Sequence, residues 1–202
     1  MKKTVFFLSA IILSSIAFEG CFKKGPDDPF ISLHTRKGRV VGDWTVSSGS
    51  GTQVNASTTT WTYSNPSLTS TTGSTVSTQN IVFKYSFKSD GTWSSTQTTT
   101  GTKFGQTYTD VVTESGNWDF GGGIGSIKKK TELILSKLSS TDVQTIGSAT
   151  PSTTTNTYGG QDNVSIFDID ELKNKEMILK WNNSNGSGSS INSDSGQYTL
   201  TQ

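Results

Sequence analysis

The sequence predicts an all-β fold: an antiparallel up-and-down β-barrel of about 8–10 strands, with a β-sandwich as the alternative. Three observations carry this. Apolar residues are only 30% of the 202 residues, yet five Trp and ten Phe supply large surfaces to bury. Ser, Thr and Gly dominate the rest, which suits pleated, half-wet surfaces and turns. Apolar residues recur with period two, and no strand–helix–strand alternation appears.

The elements follow in chain order. Met1-Lys2-Lys3 is a positive start, and residues 4–18 form an apolar run that ends at Glu19-Gly20-Cys21. That run is shorter than the roughly 20 residues of a spanning helix and reads as a signal peptide over residues 1–20. Phe18-Glu19-Gly20-Cys21 resembles a lipobox, the cleavage and acylation site of bacterial lipoproteins. Gly20 fits the small residue before the cut, whereas Phe18 and Glu19 depart from the usual pattern. The resemblance implies a lipid on Cys21, and more than one acyl chain gives stable anchoring. Residues 21–37 then read as a flexible tether, with Pro26, Pro29, Gly25 and the pair Asp27-Asp28.

A body over residues 38–202 follows, with strands expected at 39–48, 57–64, 83–87, 92–101, 106–114, 116–120, 131–138, 164–169, 176–181 and 198–201. Phe83, Tyr85 and Phe87 alternate with Lys84, Ser86 and Lys88, and Ser89-Asp90-Gly91 turns the chain into the next strand. Met177, Leu179 and Trp181 alternate in the same way, after a bend at 172–175. Residues 65–76, 148–162 and 182–196 read as long polar loops. The only place after residue 30 where a helical turn is expected is 139–146. Gly-x-Trp recurs at Gly42-Asp43-Trp44, Gly91-Thr92-Trp93 and Gly116-Asn117-Trp118, read as Gly at a strand start followed by an inward Trp.

In this order, four motifs resemble Bacteroidetes-type lipocalin-like lipoproteins, a largely uncharacterised envelope group. They are Gly42-Asp43-Trp44, the hairpin Phe87 to Trp93 around Asp90-Gly91-Thr92, Gly116-Asn117-Trp118, and Phe167 to Lys180. The resemblance covers roughly residues 38–202 and implies a lipocalin-like barrel whose closed end is plugged by Trp44. It implies no ligand. Gly42, Trp44, Trp93 and Trp118 are expected as barrel signature and core, and Phe83, Tyr85 and Phe87 as candidate ligand-lining residues. Eight strands enclose space for side chains or one small ligand.

Charge and rare residues exclude several functions. The formal net charge is +1, and loss of residues 1–20, with Lys2, Lys3 and Glu19, leaves the mature chain neutral. No electrostatic footprint for nucleic acid results; Lys128-Lys129-Lys130 reads as a solvated turn. One Cys allows no intrachain disulfide, and one His, His34 in the tether, all but excludes His-based zinc and Ser-His-Asp chemistry. Gly121-Gly122-Gly123-Ile124-Gly125 lacks the Lys-Ser/Thr of a phosphate loop. Asp168, Asp170 and Glu171 are the densest carboxylates. They could serve as a glycosidase-type acid and base, as calcium ligands, or as a polar strand face, the reading favoured here.

The expectation is therefore a non-enzymatic, cofactor-free and metal-free module, anchored by Cys21 in a bacterial envelope, in the outer membrane, facing periplasm or surface. It would be a monomer that holds a small apolar ligand or a surface partner. A carbohydrate-active or hydrolytic enzyme using Asp168, Asp170 or Glu114, and a carbohydrate-binding β-sandwich, are the alternatives; carboxylates clustered in one concave pocket would favour the enzyme.

Overall fold

The computed structural model describes residues 35–122, 131–159, 163–185 and 192–202. Cys21 and the rest of residues 1–34, His34 included, lie outside the described residues, as do Gly123 to Gly125 and Lys128 to Lys130. A short helix α1 (Arg36–Val40) precedes eleven antiparallel strands. These are β1 (Gly42–Val54), β2 (Thr58–Ser64), β3 (Ser67–Thr72), β4 (Thr75–Phe87), β5 (Thr92–Lys103), β6 (Gln106–Gly121), β7 (Glu132–Ile146), β8 (Ser152–Thr157), β9 (Val164–Leu172), β10 (Glu176–Asn185) and β11 (Asn192–Thr201). Ten close into an up-and-down barrel in the order β6-β5-β4-β3-β2-β1-β11-β10-β9-β7, with β6 pairing β7; β8 is an extra strand on β7. The expected closed barrel is what forms, and not a sandwich.

The wall has different strand numbers at its two ends. At one end β1 pairs β4 directly, from Gly42 opposite Phe87 to Thr45 opposite Lys84, so eight strands make the ring there. Higher up, β1 takes β2 as neighbour from Ser48 to Val54, and β3 pairs β4, so the β2–β3 hairpin is inserted into the wall and widens it. The hairpin tip, Asn65-cis-Pro66, sits in the fork. Asn65 N donates to Ser47 O on β1 (3.0 Å), Ile81 N on β4 donates to Pro66 O (2.7 Å), and Tyr63 Oη donates to Ile81 O (2.9 Å). Ser47 is the bulged residue of β1 against β11, and its Oγ donates to Thr199 O (3.0 Å).

The narrow end is packed solid. Trp44, Val46, Phe87, Trp93, Trp118, Leu133, Leu135, Ile169, Leu172, Met177, Leu179 and Leu200 form one buried cluster. Every member sits on the inward side of its strand, as period two requires. Helix α1 closes this end. Thr35 caps it, its Oγ1 accepting from Gly38 N (3.0 Å); Val40 is fully buried, and Arg39 Nη1 donates to Leu172 O (2.9 Å). Trp44 Nε1 donates to Val40 O (2.8 Å), and Lys37 Nζ lies 5.6 Å from the centre of the Trp118 ring. The plug thus combines a ring with its polar edge satisfied and a cation on an aromatic face.

Each Gly-x-Trp motif has its own physical basis. Gly42 holds φ +144°, which side-chain-bearing residues avoid. At Gly116 a Cβ would come 1.9 Å from Ser136 O, so only glycine fits. In the Asp90-Gly91-Thr92 turn, Thr92 N and Oγ1 both donate to Asp90 Oδ1 (2.9 and 2.7 Å), and Trp118 clamps the turn through Trp118 N to Gly91 O (2.7 Å) and Nε1 to Lys88 O (3.0 Å). The bonds from Thr92 also hold the Asp90 carboxyl below its usual range.

Several sequence expectations need correction. The first strand begins at Gly42, because residues 36–40 wind into the capped helix. Residues 139–146 are strand, paired with β6 and β8, and hold no helical turn. The loops expected at 65–76 and 148–162 contain β3 and β8, whose Thr-rich sequences show no apolar alternation. Much of 182–196 continues β10 and β11; residues 186–191 lie outside the described residues. The break expected between Glu114 and Gly116 is absent: β6 is continuous, and the extra residue is Leu138 on β7.

Trp44→Ala should lower stability by about 3–5 kcal/mol, the range for a large buried aromatic, read as a fall in the urea midpoint. An unchanged midpoint would show that the plug carries no weight.

Candidate functional site

Above the packed cluster the inward side chains no longer fill the ring. Strand register assigns them. Inward on β2 are Thr59, Trp61 and Tyr63; on β4 Phe83 and Tyr85; on β5 Ser95, Gln97 and Thr99; on β6 Asp110, Val112 and Glu114. β7 adds Lys137, Ser140 and Asp142, β10 Trp181, and β11 Asp194 and Tyr198. A cavity of about 210 Å³ lies among Phe83, Tyr85, Ser95, Gln97, Glu114 and Tyr198.

One wall of this lumen is aromatic, and glycines shape it. Trp61, Gly51, Gly196 and Trp181 stand side by side across β2, β1, β11 and β10. With no side chain at the two central positions, the indoles lean in from either side and stack, with centroids 5.9 Å apart and planes 12° from parallel. A Cβ on Gly51 would come 2.5 Å from the Trp61 ring, and one on Gly196 would come 2.7 Å from the Trp181 ring. Tyr198 leans over Gly49 one row below and meets both indoles, at 5.6 Å from Trp61 and 4.9 Å from Trp181. Phe83 follows at 6.0 Å from Tyr198, and Tyr63 meets Phe83 edge-on at 5.3 Å. These spacings are those of favourable offset and edge contacts. Asp194 Oδ2 accepts from Trp181 Nε1 (3.1 Å) and fixes that ring.

The facing wall, β6 and β7, is acidic. Glu114 Oε1 accepts from Lys137 Nζ (2.7 Å), which also lies 5.3 Å from the centre of the Tyr158 ring. Higher on these strands the Oδ1 atoms of Asp110 and Asp142 are shut off from solvent, and no donor from outside the pair reaches either. A proton shared with Asp110 raises the Asp142 carboxyl above its usual range, with burial and the Asp110 charge adding to the shift. Burial pushes the Tyr85 phenol far up, with the Tyr198 and Glu114 charges adding. Burial, Asp194 and Tyr63 push Tyr198 up to about 12. Both phenols are therefore neutral donors over the whole working pH range.

Of the residues singled out in the sequence, Phe83 and Tyr85 line the cavity. Phe87 does not: it is buried below, parallel to Tyr85 at 6.1 Å and edge-on to Trp118 at 5.8 Å. Trp44, Trp93 and Trp118 are buried core, and Gly42 opens β1. Asp168, Asp170 and Glu171 are on the outer face; Asp170 pairs with Lys180 (2.8 Å) and Glu171 with Lys173 (2.5 Å). They do not meet Glu114, which is inside. No group of three or more metal-binding side chains occurs among the described residues. Sequence reasoning missed the glycine-shaped wall and the Asp110–Asp142 pair as site features. The wall had a signal: Gly49 and Gly51, two apart in a strand, leave one face bare where an aromatic ring can lie.

Gly51→Ala should cost about 1–3 kcal/mol by overpacking and should abolish the far-ultraviolet exciton couplet of the stacked indoles. A retained couplet would contradict the packing described. Folded Asp142 binds its proton more tightly than unfolded Asp142. Its contribution to stability is therefore full below the ordinary value of 3.8 and is lost as pH rises through the raised value. Asp142→Asn should match the wild-type urea midpoint at pH 3 and exceed it at pH 7; equal pH profiles would rule out the shared proton.

No family model matches this chain, and no curated protein or solved structure matches it either.

Proposed function

We propose that this chain is a non-catalytic binding module, displayed on a bacterial envelope by a lipid on Cys21, that takes a small molecule into the wide half of its barrel. The observation that carries the binding reading is the cavity of about 210 Å³ between the aromatic wall and Glu114, above a plugged floor. Aromatic walls with a few convergent polar groups are the usual make-up of small-molecule sites. The cavity is also more polar than the small apolar ligand expected from sequence would require, since Ser95, Gln97 and Glu114 share its lining. A non-catalytic reading is supported by the outward position and lysine pairing of Asp170 and Glu171.

The anchor rests on the sequence before residue 35: a positive start, an apolar run and the single Cys. Chain geometry fits it. The body begins at the plugged end, and the stretch from Cys21 to Thr35 reaches at most about 50 Å when extended. A lipid on Cys21 would thus keep the plugged end within that reach of the outer membrane.

Cys21→Ala should abolish metabolic labelling with palmitate and release the protein from the membrane fraction; persistent labelling would refute the anchor. Binding is tested by Ser95→Trp, which fills the cavity and should remove any saturable small-molecule binding while the barrel stays folded.

A further inference from the structure

We infer that the lumen is built for a small organic cation, an amine or quaternary ammonium bearing a compact apolar or aromatic group, held by Glu114 against the rings of Phe83, Tyr85 and Tyr198. The inference rests on the proposed lumen binding and names its ligand class.

Four observations lead there. First, the inward ionisable side chains of the wide half are unequal in sign: Glu114, Asp194 and the proton-sharing pair Asp110 and Asp142 against Lys137 and, at the rim, Lys103, while Lys84, which also borders the cavity, is exposed on the outward register of β4. An entering anion meets this field with Lys137 already committed to Glu114. Second, the aromatic residues share the cavity with the carboxylate, so an ammonium beside Glu114 also meets ring faces, which attract cations most where water is scarce. Third, Glu114 already binds an ammonium: Lys137 Nζ sits on it at 2.7 Å and is an internal stand-in for the head group. The Tyr158 ring beside Lys137 gives that ammonium a second neighbour when it is displaced. Fourth, a volume of about 210 Å³ is below that of most drug-sized pockets and suits a small amine, not a long acyl chain.

The test titrates the full barrel with three soluble probes of similar size, phenethylamine, 2-phenylethanol and 3-phenylpropionate, by calorimetry and by quenching of indole fluorescence. Phenethylamine should bind about tenfold or more tightly than the other two, and its affinity should fall with salt. Glu114→Gln should weaken it about tenfold, and Lys137→Met, which removes the internal competitor, should tighten it. Opposite signs from the two partners of one ion pair are not expected if the pair is only structural. If the alcohol or the carboxylate binds as tightly, or Glu114→Gln leaves the amine unaffected while Ser95→Trp still abolishes binding, the cation class is overturned and lumen binding stands. If no probe binds, or binding survives Ser95→Trp, lumen binding and the cation class fall together.

Discussion

The architecture depends on β1 changing partners partway along its length. Over its first residues it is bonded to β4, and beyond the bulge at Ser47 it is bonded to β2. A ladder cannot fork without stranding backbone groups, and a buried unpaired amide or carbonyl is costly. The fork is closed here by the β2–β3 tip, whose Asn65 amide and Pro66 carbonyl take up Ser47 O and Ile81 N. A second switch occurs across the barrel. β7 leaves β9 after Ser136 and takes β8 from Ser139, and Leu138 is bulged between them. There Lys137 N donates to Asn163 O and Tyr158 N to Leu138 O. At both forks a bulge re-aims one strand while loop backbone satisfies the freed groups.

Ring size then sets the division of labour. Eight strands leave room only for side chains, and the narrow end is filled by Trp44, Phe87, Trp118 and their aliphatic neighbours. The wall widened by the β2–β3 hairpin encloses more than the available side chains fill. Putting glycine at 49, 51 and 196 makes the lumen wider still on one side and lets Trp61, Trp181 and Tyr198 lie flat against the wall. Bulk is thereby kept at the edge of the lumen, and a cavity remains beside it.

This division explains what could be read from the sequence. Strands that border the packed end announce themselves, because burial on one face forces alternation: Phe83-Tyr85-Phe87 in β4 and Met177-Leu179-Trp181 in β10. β3 and β8 border only the wide half, where Ser and Thr occupy both faces, so periodicity carries no information. The same limit hid half of the site. Phe83 and Tyr85 stood out because their strand alternates, and Glu114 drew notice only as a carboxylate. The Trp61–Trp181 stack, between β2 and β10, and the Asp110–Asp142 pair, between neighbouring β6 and β7, exist only through strand register. Short local signals succeeded where the interaction is local, as in Asp90-Gly91-Thr92, and failed for Thr35, whose cap is followed by no apolar run.

The two halves must also differ in how they are held. Burial of apolar area is the main favourable term in folding, and it is concentrated in the narrow half. In the wide half the cross-strand pairs are largely hydroxyls: Thr59 with Thr72 (2.6 Å), Thr69 with Thr78 (3.3 Å) and Thr141 with Thr155 (3.3 Å). Such pairs contribute a few tenths to about 1 kcal/mol each and leave the ladder close to solvent. Ladder hydrogen bonds, not burial, keep the wide half in register, and its own apolar anchor is the aromatic wall. A ligand lying against that wall would therefore add to the least buried part of the barrel and stiffen the half that encloses it. This is the expected coupling where a binding region is drawn from the less stable end of a fold and its floor from the more stable end.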